Sequence, residues 1–119
     1  MSQHHHIDYF ELPAPDLAAA KSFYSSAFDW SFTEYGPSYA GFTPTGAGRE
    51  AGGITSDPDH ARAPLAILYS DNLEQSEQRV RSAGGKIVKP IFSFPGGRRF
   101  HFTDPAGNEL AVWSNKDAR

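Results

Sequence analysis

The chain has no cysteine. That removes thiol nucleophiles, thiolate metal ligands and any disulfide framework, and it suits a reducing compartment, so a cytoplasmic location is expected. Long apolar runs are also missing, which excludes a membrane-spanning helix. No charged leader precedes an apolar segment, so no secretory signal is expected. A basic excess is absent as well: 11 Lys and Arg stand against 14 Asp and Glu, and they do not cluster. Nucleic acid and membrane are therefore not expected partners.

What is present is a doubled pattern. An apolar strand at residues 7–12 leads through Pro13 and Pro15 to a helix capped by Asp16, whose carboxylate suits the free amides of a first turn. Leu17, Ala20, Phe23, Tyr24, Ala27 and Phe28 recur at helical spacing and give it one apolar face. Short strands at 31–35, 39–43 and 52–55 follow, broken by Gly36 with Pro37 and by the run 45–48. A second strand at 65–70 then leads to a helix with Asn72 and Gln75 at capping-box spacing, stopped by Gly84 and Gly85. Strands at 87–94, 99–103 and 109–114 complete the second copy. The 119 residues are thus read as one α+β domain of two βαβββ modules, about 5–56 and 65–115, joined by a linker at 57–64. Paired copies of this kind are expected to form a half-open mixed β-sheet barrel around a central cavity.

Side chains alternate across a strand, so each strand sorts into two sets. Phe100 and Phe102 oppose Arg99, His101 and Thr103; Leu110 and Val112 oppose Glu109, Ala111 and Trp113. Phe10 and Leu12 oppose Tyr9 and Glu11, and Ala66 and Leu68 oppose Tyr69. One set is small or apolar and belongs under the helices. The other gathers Tyr9, Glu11, Tyr69, Arg99, His101, Glu109 and Trp113. Burying unpaired ions costs several kcal/mol, roughly, so that face must be paired, wet or filled by a ligand. His101 and Glu11 are the candidate proton-transfer groups. Tyr9, Tyr69, Arg99, Glu109 and Trp113 are the candidate ligand contacts, with Tyr9, Tyr69 and Trp113 suited to stacking on a planar molecule. Arg99 can hold a carboxylate or phosphate, or pair internally with Glu11 or Glu109. Glu11 has Arg98 as a further candidate partner.

Asp16-Leu17 followed by Phe23-Tyr24, and the stretch 102–110 reading F-T-D-P-A-G-N-E-L, resemble signatures of the vicinal oxygen chelate superfamily, the glyoxalase and bleomycin-resistance fold. Metal-dependent members carry one His, Glu or Gln on each of four strands. Carried across, those positions fall at Ile7, at Gly52 or Gly53, at Leu65 and at Ala111, none of which donates to a metal. The resemblance therefore implies a member with no metal or other cofactor, which excludes glyoxalase I and extradiol dioxygenase chemistry. A small aromatic or planar ligand bound in the cavity is the leading expectation. A metal-independent lyase or isomerase using His101 and Glu11 is the alternative, and a metalloenzyme with displaced ligands is a third. The resemblance also implies a homodimer, the commonest symmetric assembly. Residues 1–3 are expected to be disordered, and the run His4 to His6, on a flexible terminus, makes a poor metal site.

Overall fold

The computed structural model describes residues 2–117. Its elements run β1 (Ile7–Pro13), α1 (Leu17–Phe28), β2 (Ser31–Glu34), β3 (Tyr39–Thr43), β4 (Gly52–Thr55), β5 (Leu65–Tyr69), α2 (Leu73–Ser82), β6 (Lys86–Phe94), β7 (Gly97–Thr103) and β8 (Glu109–Ser114). The order βαβββ occurs twice, the α+β plan the sequence indicates. In each copy the first strand pairs in parallel with the last, β1 with β4 and β5 with β8. The β2–β3, β3–β4, β6–β7 and β7–β8 pairs are antiparallel.

The chain divides into two compact units. The first comprises Tyr9–Leu65; the second joins the N-terminal residues up to Asp8 to those from Ala66 onward. This differs from a cut between sequential halves, because the N-terminal histidines belong to the second copy. His5 N–H donates to the Tyr69 carbonyl at 2.6 Å, Tyr69 N–H donates to the His6 carbonyl at 3.0 Å, and Asp71 N–H donates to His4 Nδ1 at 2.9 Å. The flexible terminus expected there is therefore corrected: the backbone of Tyr69 at the end of β5 offers partners that hold it. Gln3 is likewise engaged, its carbonyl accepting from His6 at 3.0 Å; Met1 lies outside the described residues.

In the first unit the strands lie in the order β2-β3-β4-β1. Pro13 is the last residue of β1, which ends there as expected. Phe10 N–H donates to the carbonyl of Ala51, just before β4, and Ala14 N–H to that of Thr55 in β4, so the even-numbered amides face that side and the missing N–H of Pro13 is not needed there. Asp16 caps α1 by accepting from Ala19 N–H at 3.0 Å. The core is Ala14, Ala40, Phe42 and Ile54, with Leu17, Ala20 and Trp30 packed on it. Only part of the expected helix face takes part: Phe23 and Phe28 stay 58% and 57% exposed. Trp30 fills the space instead, its ring stacked between Tyr24 at 4.7 Å and Phe42 at 4.4 Å.

In the second unit the order is β5-β8-β7-β6. Asn72 caps α2 through Gln75 N–H at 3.1 Å. Gly84 turns the chain at φ +99°, a conformation open to glycine. Leu73, Phe100 and Val112 form the core, flanked by Leu68, Val80, Ile87 and Phe102. The apolar set thus packs under the helix as the alternation requires, and the opposite set is left on the other face of the sheet. No helix among the described residues is long and apolar enough to cross a membrane.

Candidate functional site

The candidate residues fall into two groups. Tyr69, Arg99, His101, Glu109 and Trp113 lie in the second unit; Tyr9 and Glu11 lie in the first.

In the second unit, strand register sets the polar face in two transverse rows. Tyr69 is opposite Trp113, Trp113 opposite Arg99, and Arg99 opposite Phe92. Ile67, Ala111, His101 and Lys89 form the adjacent row in the same way. Tyr69 meets Trp113 edge-on with centroids 5.2 Å apart, and its hydroxyl donates to Asn115 Oδ1 at 2.6 Å. Trp113 Nε1–H donates to Asp8 Oδ1 at 3.2 Å, which fixes the plane of the indole. The Arg99 guanidinium lies over the rings of Phe92 and Phe94, at 5.6 and 5.7 Å, the geometry of a cation held by ring faces.

His101 is the most informative residue of this face. It is 2% exposed, its Nδ1 lies 3.0 Å from Glu109 Oε2, and its Nε2 is buried with no partner among the described residues. Burial lowers its pKa, helped by the charges of Arg99 and Lys89, while the Glu109 bond opposes the shift. The ring is therefore neutral at pH 7, and we expect its NMR titration midpoint below the ordinary histidine range. The sign for stability follows: the folded state binds fewer protons than the unfolded state below about pH 6.5, so stability falls as pH drops through that value. A midpoint at or above 6.5 would contradict this environment.

Phe92 and Phe94 escape the strand alternation used on the sequence. The pairing of β6 with β7 slips between Ile87 and Lys89 and again between Lys89 and Phe92, and a bulge changes which residues share a face. Arg98, a candidate partner for Glu11, instead makes an ion pair with Glu74, with Arg98 Nη2 3.3 Å from Glu74 Oε1.

In the first unit, Glu11 is 4% exposed and sits in a hydrogen-bonded chain. Tyr39 donates to Glu11 Oε2 at 2.9 Å, and His60 Nε2 lies 3.1 Å from Glu11 Oε1. Tyr9 donates to Glu50 Oε1 at 3.1 Å, and the Tyr35 hydroxyl reaches the other oxygen of Glu50. Desolvation, reinforced by the neighbouring carboxylates, raises the pKa of both Tyr9 and Tyr39; both stay protonated donors. Glu11 is thus tied to a phenol and an imidazole of its own unit. Sequence reasoning missed Tyr39, which the alternation rule applied to β3 would have placed. It also missed His60, whose stretch between prolines has no periodicity to read.

The four carried-over metal positions do not fit a divalent ion. Ile7 is 52% exposed, while Leu65 and Ala111 are fully buried, and all three are hydrocarbon. At Gly52 a side chain would begin 2.0 Å from the Phe10 carbonyl oxygen; at Gly53 it would begin 2.1 Å from the Tyr39 hydroxyl. Gly52 is closed by backbone as well as emptied of a donor, while at Gly53 the neighbour is the end of the Tyr39 side chain.

Residues 6–112 match the family model described as Glyoxalase/Bleomycin resistance protein/Dioxygenase superfamily. The chain is similar to the anthracycline biosynthesis protein DnrV of Streptomyces peucetius, 27% identical, over 88% of this chain and 45% of that protein. It spans less than half the length of the curated relatives it matches. Among solved structures, it resembles the Mn(II)-bound glyoxalase of Novosphingobium aromaticivorans, with TM-score 0.70, 23% identity, and coverage of 100% of this chain and 42% of the other. It also resembles methylmalonyl-CoA epimerase of Mycobacterium tuberculosis, with TM-score 0.72, 14% identity, and coverage of 98% and 92%. At these identities the structural likeness concerns the fold.

Proposed function

Because the chain belongs to the glyoxalase/bleomycin resistance protein/dioxygenase superfamily, we propose that it is a member that binds a small planar molecule without a catalytic divalent ion. The observation that carries this reading is the row Tyr69, Trp113, Arg99, Phe92 beside a buried imidazole whose Nε2 lacks a partner. Rings, one cation and one unmet polar atom on a rigid sheet are what a cofactor-free ligand site requires. The lack of donor side chains at the metal positions, with backbone closing Gly52, supports the second half of the reading. The relative named for anthracycline biosynthesis supports a role toward a small molecule.

The test is a tryptophan-fluorescence titration with a panel of planar aromatic compounds. At least one compound is expected to quench saturably in the native protein, and Trp113→Phe removes most of that quenching while Trp30→Phe keeps it. Quenching carried by Trp30 alone would place the ligand elsewhere and overturn the assignment.

A second reading, a metal-independent lyase or isomerase, is favoured by the His101–Glu109 contact. A carboxylate on Nδ1 orients the ring and leaves Nε2 as the basic atom. In this reading His101 moves the proton and Glu109 positions it. Glu11, the other proton-transfer candidate, has polar partners in Tyr39 and His60.

A further inference from the structure

The chemistry of His101 narrows the class of ligand. An ionised carboxylate only accepts hydrogen bonds, so the contact from Nδ1 to Glu109 Oε2 at 3.0 Å places the imidazole proton on Nδ1. Nε2 of the neutral ring is then a lone pair, able to accept and unable to donate. The groups around it keep the ring neutral: Lys89 stands opposite on β6, Arg99 lies two residues away on β7, and Ala111 opposite on β8 is hydrocarbon. A buried acceptor with no donor is an unfavourable state that a ligand can relieve.

Resting on the reading of this face as a ligand site, we propose that its ligand presents an O–H donor to His101 Nε2, and that the site takes planar phenols. Phenols combine the two things the face offers to bind. The flat body suits an aromatic cluster in which the Trp113 ring meets Tyr69 at 5.2 Å and Phe94 at 6.4 Å. The hydroxyl is a stronger donor than an aliphatic alcohol, and the nearby guanidinium of Arg99 favours the charge that develops on its oxygen. An aryl ether has the body and no donor. An aryl carboxylate brings oxygens that face the Nε2 lone pair with lone pairs of their own.

Phe92 is the side chain that opens the way. Its ring stacks on His101 with centroids 5.8 Å apart and planes at 29°, yet it is 37% exposed. It sits where the β6 register slips, so rotation about its side-chain bonds uncovers the imidazole without disturbing a regular ladder.

The experiment compares 2-naphthol, 2-methoxynaphthalene and 2-naphthoate by isothermal titration calorimetry on the full chain. We expect 2-naphthol to bind about tenfold more tightly than the other two, the worth of one net hydrogen bond. In His101→Phe the three are expected to converge to within about twofold, since the acceptor is gone. A 15N NMR measurement on the native protein should show the Nδ1–H tautomer and a shift of Nε2 when 2-naphthol is added. Equal binding of naphthol and its ether, with His101→Phe unchanged, overturns the phenol assignment and leaves the ligand site standing. Tightest binding of 2-naphthoate assigns recognition to Arg99 and also overturns it. Binding of none of the three overturns both readings. If His101→Phe does not fold, the tautomer decides: a proton on Nε2 sinks the proposal.

Discussion

Gly52→Ala is expected to destabilise the protein by about 3 kcal/mol or more, the upper range for overpacking a well-filled interior. Gly52 pairs with Phe10 of β1 on one side and Phe42 of β3 on the other. An ideal Cβ there would stand 2.0 Å from the Phe10 carbonyl oxygen and 2.6 Å from Phe42 Cζ. The aromatic ring can turn away. The carbonyl cannot, because it belongs to a strand held by the bonds from Phe10 to Ala51 and from Ala14 to Thr55. For a domain of this size a loss of about 3 kcal/mol lowers the thermal midpoint by roughly 10 °C or more. Thermal unfolding of the variant measures it directly. A fall of under about 1 kcal/mol would show that β1 can yield, and that this position is open to a donor side chain after all. The same geometry bears on any attempt to restore a metal ligand: Gly53→Glu meets the Tyr39 hydroxyl before it reaches an ion.

Glu11→Ala is the second large effect, with an expected loss of about 3 kcal/mol. Glu11 is 4% exposed, and the side chains of both Glu11 and His60 are 6% exposed. Removing the carboxylate takes from the buried Tyr39 hydroxyl its acceptor at 2.9 Å and from His60 Nε2 its contact at 3.1 Å, an expensive way to break such a group. Glu11→Gln keeps an acceptor for Tyr39 and is expected to fall between the two. Denaturant unfolding of both variants checks the order. Equal stability of Glu11→Ala and the native protein would mean that the network is wet and that Glu11 is free for other work.

Much of this was legible in the sequence. Both N-caps, the strands at 39–43, 52–55 and 109–114, and the polar set on β7 and β8 stand where alternation and capping put them, because those rules act over a few residues. The α1 face was only half legible. Periodicity said that Phe23 and Phe28 were apolar, but Trp30, outside the helix, took their place against Phe42. The partners of the site residues were the least legible part. His60 reaches Glu11 across 49 positions, and no local pattern encodes that contact. Phe92 and Phe94 were hidden by bulges that break the period-two rule on β6. The position of Glu109 on its strand suggests a ligand contact, while its bond to His101 across the β7–β8 turn gives it a second role as the group that sets the imidazole tautomer.

In the proposed function the aromatic face of the second unit binds a planar molecule with no divalent ion taking part. The most direct measurement is the 2-naphthol titration on protein stripped with a chelator, repeated after adding back manganese or zinc. We expect the same saturable binding in all three samples, lost in Trp113→Ala. Binding that vanishes on stripping and returns with the ion would contradict it.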